Sequence, residues 1–216
     1  MEVYHFELQF SFNSFEYMKV EEPDLSGTYS YADYLTWQWG EMTELIRGKI
    51  YKMSPAPGSM HQRISGNIFG LLWNYLQGKP CQVFSAPFDV RLPISKKGKT
   101  DKEIITVVQP DLCVVCDPTK IDERGCLGAP DWIIEILSQH TSSKDLREKF
   151  DVYEEAGVKE YWVVHPQEQT VLVFTLDETG KYKGILKPYI RTDKLSPVTL
   201  SGLTIDLGLV FPDKEF

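Results

Sequence analysis

Apolar and polar residues alternate strictly near the start of the chain. Tyr4, Phe6, Leu8, Phe10 and Phe12 fall on one side, and His5, Glu7, Gln9 and Ser11 on the other. A period of two marks a half-buried strand. The polar stretch that follows, with Pro23, Asp24 and Gly27, sets this segment apart. Residues 1–27 therefore read as a β arm, ahead of a main domain over residues 28–216 with extra strands at its C-terminal end. An unpaired strand attracts a second chain, so a homodimer through the arm is one expectation. Packing of the arm on its own domain is the other.

Beyond the arm, residues Tyr31 to Trp39 suggest a short helix, and Glu44 to Tyr51 suggest a hairpin turning at Arg47-Gly48. Ile64, Ile68, Leu71, Leu72 and Tyr75 recur at helical steps, which predicts an amphipathic helix over about 61–76 that Gly78 and Pro80 terminate. Strands are expected over 82–92, 106–116 and 132–137. A second helix over 143–156 carries the stripe Leu146, Phe150 and Tyr153, with Ser142 and Asp145 at capping-box spacing and Gly157 as its C-terminal stop. A strand at 160–165, a hairpin turning between Asp177 and Gly180, and short strands complete the order. The sum is an α/β fold in which helices flank a mixed sheet.

Composition changes this picture little. A length of 216 residues, 42% hydrophobic and 25% charged, suits one globular domain. No apolar run approaches the ~20 residues that cross a bilayer, and the start lacks a signal peptide's basic and apolar blocks, so a cytoplasmic location is expected. Cys113 and Cys116 have CxxC spacing but sit in a Val-rich strand, where residues three apart face opposite ways. Buried free thiols are the expectation there rather than zinc ligands. Net charge is −8, against the basic footprint usual in nucleic-acid binders.

Two carboxylates stand out. Asp111 lies mid-way through the 106–116 segment, beside Pro110, and Glu135 is the only polar residue between Trp132 and Leu137. A carboxylate in a strand that is otherwise apolar is costly unless paired or metal-bound. If the two strands adjoin, both groups point into one cleft, where Mg²⁺ takes carboxylate, water and phosphate oxygens.

Several ordered motifs then carry a resemblance. Glu44-Leu45-Ile46-Arg47-Gly48-Lys49, Pro110-Asp111-Leu112, Glu135-Ile136-Leu137-Ser138, and the run from Lys149 through Tyr153 to Val164 resemble the Uma-two family. Its members are restriction-endonuclease-like proteins of the PD-(D/E)XK nuclease superfamily. The similarity spans about residues 28–176. It implies a restriction-endonuclease-like fold and a Mg²⁺- or Mn²⁺-dependent endonuclease acting on DNA. Asp111 and Glu135 match the two acidic positions, with the Ile136 carbonyl as a third ligand. The superfamily's lysine two residues after the glutamate is here Leu137, and Lys149 matches the substitute from the following helix, with Lys144 as fallback. Glu44 matches an acidic position that contacts the metal or its water. Ser138-Gln139-His140-Thr141 and His165 depart from the usual pattern without touching the metal pair.

Position alone gives plainer readings. Glu44 reads as a strand-surface charge, His61 as a solvated helix start, and Lys149 as a boundary lysine paired along its own helix. His140 reads as a loop histidine without function. The five tryptophans read as core, and the lysines at 96–102 with Lys181, Lys183, Lys187, Arg191 and Lys194 as solvated charges or phosphate contacts. A catalytically inactive module that keeps the nuclease scaffold for nucleic-acid or protein binding is the alternative to an enzyme.

Overall fold

The computed structural model describes residues 23–37, 42–53, 58–94, 100–138, 143–184 and 187–212, with only the backbone at 143–145. The arm at 4–12, Trp39, the lysines between 95 and 99, His140 and the Ser142 cap lie outside the described residues, as does the Lys144 side chain.

The first helix, α1 (Tyr31–Tyr34), is shorter than expected. Bonds from Thr36 N to Asp33 O and from Trp37 N to Tyr34 O tighten the chain at its end. The hairpin of β1 (Thr43–Ile46) and β2 (Lys49–Lys52) forms as anticipated. Arg47 and Gly48 both take positive φ, 50° and 77°, as a two-residue hairpin turn of this hand requires. Next comes α2 (Ser59–Leu76), which buries Ile64, Ile68, Leu72 and Leu76 and ends just before Gly78 at φ 73°.

The expected strand over 82–92 is two strands, β3 (Gln82–Ser85) and β4 (Val90–Arg91). The strand over 106–116 likewise divides into β5 (Val107–Val108) and β6 (Leu112–Val115). Asp111 therefore stands just ahead of β6 instead of mid-strand. Pro110 has no N–H to give a ladder, and the chain changes sheets across it. On one side β5 pairs with β1 and β4; on the other β6 pairs with β3 and with β9 (Trp132–Ile136). Between β6 and β9 lie β7 (Ile121–Asp122) and β8 (Gly125–Leu127).

After β9 the helix α3 (Ser143–Ala156) leads into β10 (Glu160–His165), parallel to β9 with Glu135 opposite Val163. Gly157, at φ 85°, sends its N–H back to Tyr153 and Glu154 carbonyls and stops α3. The hairpin of β11 (Thr170–Leu176) and β12 (Tyr182–Gly184) follows, then β13 (Tyr189–Ile190), β14 (Lys194–Leu195), β15 (Ile205–Asp206) and α4 (Leu207–Val210).

These strands form two larger sheets where one was expected. The first runs β2-β1-β5-β4-β8-β7, and the second runs β12-β11-β10-β9-β6-β3 with β13 beside β11. The second is covered on both faces. Trp132, Ile134 and Ile136 of β9 pack with Ile64, Ile68 and Leu72 of α2, while Ile133 packs with Val152 and Tyr153 of α3. Trp132 and Trp162 are core, as expected; Trp73 is not, being 53% exposed on α2 beside Phe69.

One thiol expectation is overturned. Cys113 is free and buried, but Cys116 forms a disulfide with Cys81. The antiparallel ladder pairs Gln82 with Val115, which sets Cys81 and Cys116 opposite each other at its end. CxxC spacing runs along one segment of chain, whereas the bond joins two.

Candidate functional site

Register brings the two strand carboxylates together. Leu112 pairs with Ile134 and Cys113 with Ile133, so one further step along the same antiparallel ladder sets Asp111 opposite Glu135. Opposed residues in such a ladder project from the same face. Asp111 Oδ2 accepts a 2.7 Å hydrogen bond from Ile136 N, which locks the carboxylate against the end of β9.

From the far side of that face, α3 supplies two groups one turn apart. Lys149 Nζ lies 3.0 Å from Glu135 Oε1, and the Tyr153 hydroxyl donates to the same oxygen at 2.7 Å. Lys149 also lies 2.9 Å from Glu44 Oε1 on β1, and that oxygen accepts from Gln109 N at 2.8 Å. The ammonium thus bridges acids from the two sheets. Glu44 is buried, not a strand-surface charge, and Lys149 pairs across the fold instead of along its own helix. Both corrections share one cause: β1 and β9 approach the same face of α3, a proximity invisible in local spacing.

His61 is a third correction. It sits in the first turn of α2 and is buried, with Nε2 3.2 Å from Asp111 Oδ1. The helix start faces the sheet end here instead of water. Side-chain exposure across the cluster is small but not zero: 9% for Glu135, 11% for His61, 13% for Lys149 and 21% for Asp111. Asp111 is the most open of the four, and Glu135 the most enclosed.

Electrostatics follow from this crowding. Burial pushes the Glu135 carboxyl up to about 7; Lys149 opposes the shift, while Asp111 and Glu44 add to it. Burial pulls Lys149 down, yet the Glu135 and Glu44 carboxylates outweigh it and hold the ammonium well above its usual range. Burial and the Glu135 charge raise the Tyr153 hydroxyl well above its ordinary value, which keeps it a donor. For His61, burial acts downward, and the Asp111 carboxylate with the Ile136 backbone turns the net shift upward.

Among the described residues, no three His, Cys, Asp or Glu side chains already form a metal cage. Asp111 is held by Ile136 N and His61, and Glu135 by Lys149 and Tyr153, so their oxygens are turned to partners within the protein. A neighbouring cleft lined by Pro87, Asp89, Gln109, Asp122 and Arg124 meets the cluster at Gln109, whose N–H donates to Glu44.

Tyr153, Gln109 and Asp89 went unremarked in sequence as chemistry. Tyr153 was legible as an apolar-stripe residue, although a buried hydroxyl one turn beyond Lys149 needs a polar partner. Gln109 donates to Asp89 Oδ1 at 2.8 Å, and only the tertiary fold reveals it. Lys181 and Lys183 are tied to Glu154 and Asp177 at the β11–β12 hairpin. No helix among the described residues is long and apolar enough to cross a membrane.

The Uma2 family model, described as "Putative restriction endonuclease", matches residues 31–208. Uncharacterized protein slr1290 of Synechocystis sp. is 22% identical over 187 residues, covering 85% of this chain and 92% of that protein. The crystal structure of a "putative nuclease belonging to DUF820" from Anabaena variabilis aligns at TM-score 0.65 and 20% identity, covering 85% of this chain and 97% of that one. At that identity the likeness is one of fold.

Proposed function

The chain belongs to the Uma2 family, and from that premise we propose that it is a divalent-metal-dependent endonuclease that hydrolyses DNA phosphodiester bonds. The carrying observation is the convergence of Asp111, Glu135, Glu44 and Lys149 from two strand sets and one helix.

The residues fit a divalent cation on charge grounds. Two carboxylates hold the one ammonium, Asp111 adds a third negative group, and Glu135 is pushed up to about 7 by burial and by neighbours of its own sign. Positive charge beside Asp111 and Glu135 relieves that surplus. Their oxygens, with the Ile136 carbonyl, would supply the hard donors that Mg²⁺ or Mn²⁺ takes. When bound, the ion polarises a phosphoryl oxygen and makes water more acidic.

The chain's own groups do the rest. Glu44 holds Lys149 in place from β1. Lys149 Nζ orients the attacking water and offsets charge that develops on the phosphate. Tyr153 fixes the Glu135 carboxylate by donating to Oε1. Leu137, where the superfamily has its lysine, packs with the apolar cluster under α3, so the cation arrives from the helix. A net charge of −8 requires that phosphate contacts be local to the site.

The test is incubation of the purified full chain with supercoiled plasmid and Mg²⁺ or Mn²⁺, beside Asp111→Ala and Glu135→Ala. Nicking by the parent that both variants lack is the expected result. Equal inactivity of all three, across metals, salt and DNA forms, would assign the scaffold to binding instead of catalysis.

A further inference from the structure

His61 has no part in the mechanism above, yet it is a buried imidazole aimed at the acidic pair. Its Nε2 lies 3.2 Å from Asp111 Oδ1, and the Ile136 backbone lies against the same ring. Two ligands each ~2.1–2.2 Å from one ion at right angles are themselves ~3 Å apart. The His61–Asp111 separation therefore suits neighbouring ligands as well as a hydrogen bond. On the opposite edge, Nδ1 is buried without a hydrogen-bond partner. The Asp111 contact places a proton on Nε2 in the metal-free chain; carried instead on the unpartnered Nδ1, that proton leaves Nε2 with a lone pair.

We propose that His61 Nε2 is a nitrogen ligand of the divalent cation held by Asp111 and Glu135, and that it biases the site toward Mn²⁺ or a later first-row ion over Mg²⁺. The inference rests on the metal reading above and adds a ligand and a selectivity to it. An all-oxygen site suits Mg²⁺, whereas an imidazole favours transition ions, whose affinity for nitrogen rises along the series. His61 enters from α2, the helix on the other face of the sheet from α3. The site then draws its donors from both layers, with nitrogen on one side and the Lys149 charge on the other.

Calorimetric titration of the full chain with Mn²⁺ and with Mg²⁺ tests this, on the parent, His61→Gln and Asp111→Ala. The parent is expected to bind Mn²⁺ at least ~10-fold more tightly than Mg²⁺. His61→Gln should lose most of that preference, chiefly through weaker Mn²⁺ binding, while Asp111→Ala weakens both ions. An unchanged Mn²⁺:Mg²⁺ ratio in His61→Gln, with Asp111→Ala still impaired, overturns the ligand assignment and leaves the site intact. Unchanged binding in Asp111→Ala sinks the metal reading itself. Pulsed electron paramagnetic resonance of Mn²⁺ on the unmutated chain gives a second readout that needs no variant to fold: a directly coordinated ¹⁴N coupling is expected, and its absence from the bound ion refutes the proposal.

Discussion

The Lys149 ammonium lies 3.0 Å from Glu135 Oε1, so positive charge reaches this strand from the next helix. The same nitrogen is 2.9 Å from Glu44, so it joins the two acids. Breaking a buried pair of this kind leaves uncompensated charge, at a cost of about 3–5 kcal/mol. Lys149→Met should therefore lower stability by that amount in urea denaturation and abolish nicking. Lys149→Met with parental stability would mean the ion pairs are energetically idle.

Glu135 makes stability depend on pH. Its folded pKa, about 7, is above the ordinary glutamate value of about 4.5, so the folded state holds its proton longer than the unfolded chain does. Stability from this group is fully present below about 4.5 and is lost as pH rises through about 7. His61 is shifted upward too and acts in the same direction, its contribution being lost as pH rises through its folded value. Metal-free protein should be less stable at pH 8 than at pH 5 by more than Glu135→Gln is. Parallel melting curves for parent and variant across that range would contradict the assignment.

Tyr153 donates to Glu135 from inside the apolar cluster under α3. Tyr153→Phe keeps the ring and deletes one hydrogen bond to a charged group, worth roughly 1.5–3 kcal/mol. The carboxylate should then hold its proton to higher pH, visible as an upward shift in the pH at which nicking begins. A stability loss without that shift would make Tyr153 a packing residue only.

The Cys81–Cys116 bond closes a loop with a sequence separation of 35 at the edge of the second sheet. Loop-closure entropy for that span corresponds to about 4 kcal/mol. Reduction of the parent should cost roughly that much in denaturant, and Cys116→Ser should match the reduced parent and ignore reductant. Identical unfolding of oxidised and reduced parent would show that the bond does not form in solution.

Local pattern was enough for the hairpin at Arg47-Gly48, for α2 and α3, and for β10, because each is written in short-range periodicity and turn residues. The acidic pair was legible because Asp111 and Glu135 break apolar runs. What failed needed knowledge of which strands adjoin. Pro110 marks a break in the ladder, but the move from one sheet to another depends on β1 and β3 waiting on either side. Glu44 and His61 look solvated by spacing and become buried because β1 and α2 close on the end of β9. Cys116 looks like a free thiol until β3 is laid beside β6.

Diffraction from Mn²⁺-soaked crystals, with anomalous maps, tests the central claim most directly. The account predicts a peak about 2.0–2.3 Å from carboxylate oxygens of both Asp111 and Glu135. No peak there, with Asp111 still bonded to His61 and Glu135 to Lys149 at saturating Mn²⁺, would contradict it.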